Sequence, residues 1–284
     1  MNPAPLMRLG PAIAERPLVL DSPHSGHHFP ADFRAAVSER DLREGEDCHI
    51  DRLYAPAAER GVPLLAATFP RTYIDVNRHE DDIDQAVLNA PWPKPLRDSG
   101  KSAIGKALVW RALDDGRAVY DRLLPVAEVM GRIERCHRPY HAALGDLIDA
   151  AHRRFGRTLH LNLHSMRAVS GVLGVGGAGQ VRPDVVLGDL DGTSCDPALT
   201  AFVARTLSAL GYEVRINDPY KGVELVRAFA DPARGRHSLQ IEVNRRLYMD
   251  EATLEPTPNF AVLQGHLMQL IDALGRHLTE DRRP

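Results

Sequence analysis

Two histidines stand where short apolar runs end, and their imidazoles are the first candidates for chemistry. His24 lies in the segment SPHSG, shortly after PLVL, and His164 follows the run TLHLNL. Rings held rigidly at strand ends suit a divalent metal, and a catalytic zinc takes three protein ligands and a water molecule. The alternative is that each histidine is a hydrogen-bonded structural residue. The pattern supports a metal-site hypothesis and leaves the third ligand open.

The third ligand should be a histidine or a carboxylate. His27 makes an HxxH spacing with His24, whereas Asp47 and Asp51 are one helical turn apart. One of these two carboxylates could face the site while the other orients a ligand. The nearest candidates in sequence are His27, Glu46, Asp47, His49 and Asp51.

Glu242 is a carboxylate inside an apolar strand pattern. It lies between Ile241 and Val243 in LQIEVNR, and burying a carboxylate there is costly unless it is paired or used. In a desolvated site its pKa would rise toward neutrality, which suits a general base. The alternative is an ion pair with Arg245 or another arginine, and the residues alone favour that pair.

Several cations lie near predicted strand ends and loops. Arginine presents a planar fork that matches a carboxylate, so their clustering indicates a small anionic substrate, although each one alone is more typical of a solvated surface. The set is Arg71, Arg78, Lys221 and Arg227. His141, in the segment RPYH, interrupts a helical pattern, and it could reach the same crevice or pack between helices.

The elements that position these residues follow from hydrophobic patterning. Short apolar runs predict strands at 17–20, 63–69, 73–77, 158–163, 184–187, 212–216 and 238–243. Helical patterns cover 42–60, 118–155, 197–210 and 259–279, with an interruption near Arg138–Pro139, and 81–105 predicts a long loop. This alternation predicts an α/β fold with a mixed, mostly parallel sheet and helices on both faces.

In such a sheet the ligand crevice lies beyond the carboxyl ends of the strands. This rule gathers the polar residues that follow the predicted strands toward one edge. They are His24, Asp75, Asn77, Arg78, His164, Asp189 and Asn217. No composition shift marks a boundary, so we expect a single domain over residues 1–284.

Composition excludes several classes of protein. The 284 residues are 44% hydrophobic and 26% charged with a net charge of −3, as in an ordinary soluble globular protein without the basic excess of a nucleic-acid or anionic-membrane binder. Cys48, Cys136 and Cys195 form no CxxC pair, which argues against disulfides and a thiolate zinc site. With no secretory signal or membrane-spanning run, we expect a cytoplasmic monomer or small homo-oligomer.

Taken in order along the chain, a series of segments resembles the N-formylglutamate amidohydrolase family. The matching segments are SPHSG at 22–26, EDCHIDRLY at 46–54, RTYIDVNR at 71–78, RPYHAAL at 138–144, LHSM at 163–166, GDLDGTSC at 188–195, NDPYKG at 217–222 and LQIEVNRRLYMDE at 239–251. They span most of the chain. The ordered series, and above all its last member, carries the resemblance.

The resemblance implies a zinc-dependent hydrolase related in fold to the zinc carboxypeptidases and aspartoacylase, with a zinc-exopeptidase-like core. It implies one zinc ion per chain, held by His24, His164 and a carboxylate, for which Asp47 matches best and Asp51 is the alternative. It makes Glu242 the catalytic base. The substrate clamp would be Asn77 and Arg78. HxxH replaces the HxxE of the carboxypeptidases after His24, and Gly222-Val223 replaces an expected glycine pair.

The implied reaction is hydrolysis of N-formyl-L-glutamate to formate and L-glutamate. Arg71, Arg78 and Arg227 would hold substrate carboxylates, and Lys221 belongs to the same cationic set. His141 could stabilise the oxyanion. The alternatives are a related amidohydrolase or carboxypeptidase acting on another N-acyl amino acid or small peptide, and a homologue that binds metal or anions without turnover.

Overall fold

One mixed sheet runs through the centre of the molecule. The computed structural model describes residues 4–280. In that part of the chain the strands are β1 (Leu6–Leu9), β2 (Leu18–Ser22), β3 (Leu64–Ala67), β4 (Thr158–Met166), β5 (Val185–Gly188), β6 (Val214–Ile216) and β7 (Arg236–Asn244). Their order is β1-β3-β2-β4-β7-β5-β6. Only β1–β3 and β5–β7 pair antiparallel within the described residues, which confirms the predicted α/β fold with a mostly parallel sheet.

Helices cover both faces of this sheet, as predicted. They are α1 (Glu39–Leu42), α2 (Ile50–Tyr54), α3 (Val126–Arg132), α4 (Arg138–Phe155), α5 (Pro197–Ala209), α6 (Glu224–Phe229) and α7 (Asn259–Glu280). One apolar cluster joins α2, α5 and α7 to the sheet, and a second joins α3 and α4 to its other face. No helix in the range 4–280 is long and apolar enough to cross a membrane.

The central strands carry different side chains on their two faces because successive residues of a strand point in opposite directions. Leu159, Leu161 and Leu163 of β4 enter the cluster with α5 and α7. The alternate residues of β4 are polar and lie in register with polar residues of β7. The register pairs are His160 with Ser238, Asn162 with Gln240, and His164 with Glu242. Two adjacent parallel strands thus present one polar row that ends at His164 and Glu242.

Two predicted elements are wrong, and both errors lie beside this row. The predicted helix 42–60 is divided into short turns around His49, whose φ is 65°. The predicted strand 73–77 consists of turns, in which the Tyr73 N–H donates to Pro70 and the Arg78 N–H to Asp75. Each segment makes local backbone bonds that bend it toward the polar row instead of extending it.

The predicted helix 118–155 begins only at Val126, and it continues through Pro139. Proline has no backbone N–H to donate, which is why a break was expected there. The wider π-helical turn Ile133–His137 lies immediately before α4 and accommodates the missing donor.

The loop 81–105 holds only two single 3-10 turns, as predicted, whereas β1 and α6 were not predicted. The single domain stays a prediction, and its ends at 1–3 and 281–284 lie outside the described residues.

Candidate metal centre and cationic cavity

His24, Asp47 and His164 converge although they are far apart in sequence. The Nδ1 atoms of the two histidines are 3.1 Å apart, and Oδ2 of Asp47 lies 3.2 Å from His24 Nδ1 and 3.0 Å from His164 Nδ1. All three residues are buried. A tetrahedral ion with ligand bonds of roughly 2.0–2.2 Å separates its donors by about 3.3–3.6 Å. The triangle is close to that size, so this group could hold a metal ion.

The loop after β2 positions His24 by lying directly on the backbone that follows β3. The His28 N–H donates to the Thr68 carbonyl at 2.9 Å. A Cβ on Gly26 would lie 2.4 Å from the carbonyl oxygen of Phe69, so only glycine fits this crossing. At the far side of the ring, His24 Nε2 is 2.7 Å from Oδ1 of Asp75. The carboxylate orients the imidazole and leaves Nδ1 facing the other two donors.

Asp75 is itself held by arginines. Arg71 Nη2 donates to its Oδ2 at 2.8 Å, and Arg78 Nη2 lies 3.8 Å from the same oxygen. Burial raises the pKa of Asp75, but the positive charges of Arg71, His24 and Arg78 outweigh it and hold the pKa well below the ordinary value. Asp75 is therefore a carboxylate at neutral pH and accepts a hydrogen bond from His24 Nε2–H.

Asn162 performs the corresponding task for His164. Its amide Nδ2 donates to Asp21 Oδ1 at 2.8 Å, so its Oδ1 must face the other way, toward His164 Nε2 at 2.7 Å. An amide oxygen only accepts, hence His164 carries its proton on Nε2. Its Nδ1 lone pair then points at Asp47 and His24. The two imidazole lone pairs and the carboxylate oxygen lie 3.0–3.2 Å from one another. All three are electron-pair donors, so a cation is the partner that suits them.

Behind Asn162 lies a fully buried polar network centred on Asp21. Its carboxylate also accepts from Tyr140 Oη and pairs with His160 Nε2, each at 2.8 Å, and His160 Nδ1 lies 2.7 Å from Ser238 Oγ. The spacing resembles a nucleophile–histidine–acid triad, but His160 and Ser238 have no exposed surface. Substrate cannot reach them, so the network fixes Asn162 and, through it, the His164 ring.

Asp47 reaches the site because its N–H donates to the His24 carbonyl at 3.0 Å, which ties the 43–50 turns to the loop after β2. Its Oδ1 accepts from Ser165 Oγ at 3.1 Å and lies 3.5 Å from Nη2 of Arg245. Burial raises the pKa of Asp47, yet its two neighbouring imidazoles lower it well below the ordinary value.

The other candidates for third ligand lie elsewhere. Glu46 pairs with Arg43 at 2.7 Å, and the exposed His27 ring is 3.5 Å from Glu46. Nε2 of His49 contacts the Leu254 carbonyl at 2.8 Å, and Asp51 lies in α2, where its backbone N–H donates to Ser25 Oγ at 3.2 Å. Within residues 4–280, Asp47 is the carboxylate that joins the two histidines.

Glu242 stands in register with His164 on the neighbouring strand and lines the same cavity. Gln240 Nε2 donates to its Oε1 at 3.1 Å. Across the described residues no cation forms an ion pair with it; Arg245 instead donates to Ser165 and to the Glu46 carbonyl. Desolvation and the negative charge of Asp47 raise the pKa of Glu242 well above its ordinary value. A carboxylate with a raised pKa holds a proton more readily than one in water, which suits a group that accepts and releases protons.

The cavity over this group has a volume of about 370 Å³ and is rich in cations. Among the described residues, the acidic side chains that line it are Glu44, Asp47, Asp114 and Glu242. The lining cations are Arg71, Arg78, Lys101, Lys106, Arg167, Lys221 and Arg245. This excess of positive charge favours a small anionic ligand.

Of the predicted substrate residues, Arg71, Asn77, Arg78 and Lys221 line the cavity, whereas Arg227 and His141 do not. Arg227 pairs with Glu224 at 2.6 Å on α6 and lines a separate surface cavity. His141 contacts the Val76 carbonyl at 2.8 Å through Nε2 and stacks on His137 with ring centroids 4.2 Å apart. From its position on α4, the His141 ring therefore faces the backbone next to Asn77 and not the cavity.

Sequence reasoning missed Lys101, Lys106 and Arg245 as cavity residues. The two lysines lie in or beside the loop 81–105, whose length was the one available signal. It also missed Asn162, although the alternation of His160, Asn162 and His164 with leucines places all three on one face of β4. Asp189 and Asn217 follow strands as predicted, but Asn217 Nδ2 donates to Asp189 at 2.7 Å, outside the cavity lining.

Comparison with known proteins identifies the family of this chain. The family model for N-formylglutamate amidohydrolase matches residues 16–249. Two curated relatives, both named N-formylglutamate deformylase, are 31% identical (Pseudomonas putida; 83% of this chain, 82% of the relative) and 33% identical (Pseudomonas aeruginosa; 83% of each). A crystal structure of N-formylglutamate amidohydrolase from Ralstonia eutropha JMP134 superposes with a TM-score of 0.91 at 47% identity, covering 98% of this chain and 99% of that one. The chain belongs to the N-formylglutamate amidohydrolase family.

Proposed function

We propose that the protein is a metal-dependent amidohydrolase that cleaves N-formyl-L-glutamate to formate and L-glutamate. The names of its Pseudomonas relatives and of the Ralstonia structure support this substrate. The single observation that carries the mechanism is the position of Glu242, on the strand next to His164, beside the His24–Asp47–His164 group and without an ion-pair partner among the described residues.

We assign one zinc ion to His24, Asp47 and His164, because two imidazoles and one carboxylate form a typical catalytic zinc set. When bound, zinc supplies Lewis-acid chemistry by activating water and polarising a carbonyl. The chain supplies the proton transfers: Glu242 accepts a proton from the attacking water on a carboxylate oxygen, and it returns that proton to the amine nitrogen as the C–N bond breaks. Its raised pKa suits both steps.

Cations of the cavity bind the substrate in this proposal. Arg71, Arg78 and Lys221 attract its carboxylates, and Asn77 positions the substrate beside His164, from which its amide nitrogen is 3.3 Å. Arg245 lies next to Asp47 and is placed to face negative charge that develops during the reaction. We assign no substrate contact to His141 or Arg227, since both lie outside this cavity.

Replacing Glu242 tests the mechanism directly. In Glu242→Gln the amide matches the carboxylate in shape but cannot take a proton, so we expect kcat for N-formyl-L-glutamate to fall by about 10²–10⁴-fold. Zinc content, measured by elemental analysis, should match that of the wild type because Glu242 is outside the ligand group. A variant that keeps wild-type turnover would contradict the assignment, and zinc-loaded wild type that hydrolyses no acyl amino acid would indicate a binding protein.

A cytoplasmic location is part of the proposal. Cys48, Cys136 and Cys195 are all buried free thiols. Free thiols without disulfides are typical of reducing compartments.

A further inference from the structure

Lys101 differs from the other cations of the cavity because no carboxylate of the described residues lies within ion-pair distance of it. The other six each have one: Arg71 and Arg78 have Asp75, Lys106 and Arg167 have Asp114, Lys221 has Asp191, and Arg245 has Asp47. Lys101 is also half-buried. A partly buried ammonium group without a counter-charge is unfavourable unless a ligand supplies that charge.

The surroundings of Lys101 add to this excess. Arg71 lies within ion-pair distance of Asp75, and Arg78 of Asp75 and Asp82, whereas Lys101 has no such carboxylate among the described residues. Asp82 already accepts from Ser99 Oγ at 2.6 Å and lies 4.0 Å from Arg78. Burial and the charges of Arg78 and Arg71 lower the pKa of Lys101, as expected where cations outnumber anions.

Lys101 lies away from the ligand group, toward the outer part of the cavity. Arg71 is linked to the ligand group through Asp75, to which it donates at 2.8 Å and which lies 2.7 Å from His24 Nε2. Within the described residues Lys101 makes no such link. Lys101 also borders the neighbouring surface cavity, together with Asn77, Arg78 and Val223. Its backbone is fixed because its carbonyl accepts from the N–H groups of Ile104 at 3.2 Å and Lys106 at 2.9 Å.

This placement matches the shape of an N-acylated dicarboxylic amino acid. Its scissile amide must lie at the ligand group beside Glu242, and its α-carboxylate is one carbon from the amide nitrogen. The side-chain carboxylate is three carbons from that nitrogen, two farther than the α-carboxylate, so it ends in the outer part of the cavity. The inner arginines are near enough to the ligand group for the first carboxylate, and Lys101 is the cation without a partner at the outer position.

We propose that Lys101 binds the side-chain carboxylate of the substrate and thereby sets the preference for glutamate over its uncharged amide. This inference rests on the proposed function, because it takes the scissile amide to lie at the ligand group. It makes Lys101 a specificity-determining residue rather than a participant in proton transfer.

The test compares Lys101→Gln with wild type on N-formyl-L-glutamate and N-formyl-L-glutamine, which have the same shape but differ in charge. For the glutamate substrate we expect KM to rise about 10- to 100-fold, the value of one charge-assisted hydrogen bond, with little change in kcat. KM for the glutamine substrate should change less than about twofold. Lys101→Arg should restore part of the preference because it keeps the charge.

A matched control removes a lysine charge elsewhere. Lys94 pairs with Glu80 at 2.9 Å outside the cavity lining, so Lys94→Gln should leave both KM values unchanged. Equal losses of Lys101→Gln on the two substrates, or an unchanged preference, would overturn the role of Lys101. If wild type hydrolyses neither substrate, the proposed function fails, and calorimetry with L-glutamate and L-glutamine still tests Lys101. Selective loss of L-glutamate binding in Lys101→Gln would support the role, and its retention would refute it.

Discussion

At the scale of single residues, the protonation pattern of the site is decided by groups that touch no metal donor atom. Asp75 accepts a hydrogen bond from His24 Nε2–H, and Asn162 Oδ1 accepts one from His164 Nε2–H. Asn162 can do so in only one orientation, because its amide nitrogen is committed to Asp21. Asp75 and Asn162 therefore determine that the Nδ1 atoms of the two histidines face the metal site.

Replacing this amide should weaken metal binding. In Asn162→Leu, which has nearly the same shape, His164 Nε2 loses its acceptor, and we expect the affinity for Zn²⁺ to fall about 10- to 100-fold in competition with a chromogenic chelator. Gln240→Leu is the matched control, because Gln240 is the register partner of Asn162 on β7 but bonds to Glu242 instead of a ligand. Equal losses in the two variants would show a general effect on the sheet.

The sequence allows some of these residues to be predicted and not others. His24 and His164 could be found because polar side chains at strand ends meet at one edge of a parallel sheet. The third ligand stayed open among five candidates because nothing local shows that the Asp47 N–H bonds to the His24 carbonyl. The sequence also did not show that Glu242 lacks an ion pair among the described residues, since Arg245, three positions farther along, donates to Ser165 and the Glu46 carbonyl instead.

At the scale of elements, α4 and the π-helical turn before it act on the site through backbone carbonyls. His137 and His141, one turn apart, stack on each other, and their Nε2 atoms lie 2.8 Å from the carbonyls of Arg78 and Val76. Asn77 lies between these two anchored residues, and its own Oδ1 accepts from the Leu225 N–H at 2.9 Å. The helix thus fixes the turn that presents Asn77 and Arg78 to the cavity.

This contact predicts a modest effect for a residue that sequence analysis placed among the oxyanion groups. His141→Leu removes one hydrogen bond to the turn, so we expect KM for N-formyl-L-glutamate to rise about two- to tenfold with kcat nearly unchanged. His141→Gln keeps a donor and should recover most of the loss. A fall in kcat of about 10²–10³-fold in both variants would instead indicate direct stabilisation of the transition state.

The elements themselves were predictable where hydrophobic periodicity was strong. Both β4 and β7 were recognised from their apolar runs, although each extends beyond its predicted end, and α5 and α7 match their predicted ranges within one residue at each end. The errors fall at 42–60 and 73–77, where tertiary hydrogen bonds such as that from Asp75 N–H to the Leu108 carbonyl override local propensity.

At the scale of the whole molecule, the sheet has one apolar face and one face whose central strands are polar. The polar face brings buried histidines together under the site, and these histidines link folding to pH. Burial lowers the pKa of His137 to about 4, and its Nδ1 has no hydrogen-bond partner in the described structure, so a proton there would be unsolvated.

The buried His137 makes the folded state less stable as pH falls. The unfolded chain protonates His137 near its ordinary pKa of 6.5, whereas the folded protein does so only near 4. Acid therefore favours the unfolded state, and stability present above pH 6.5 declines by about 3 kcal/mol as pH falls to 4. Urea unfolding of the metal-free protein across this range should show a shallower decline in His137→Gln than in wild type. Parallel curves would contradict the prediction.

The overall α/β class and both covered faces followed from the alternation of strands and helices. The mixed character of the sheet depends on β1–β3 and β5–β7, whose antiparallel pairing no local pattern encodes. The cavity depends on a long loop whose polar residues predict irregular backbone but not its path. Its lysines could be located only once that path was known.

The crossing of two chain segments at Gly26 has a consequence for comparing such proteins. Because the neighbouring atoms are main-chain atoms of Thr68 and Phe69, no side-chain rearrangement could make room for a methyl group. In a homologous protein with alanine at this position, the segment that carries His24 would have to move away from the backbone that follows β3. That one position, which contacts no substrate and donates to no ion, can therefore be used to separate relatives able to load a metal from those that have lost the capacity.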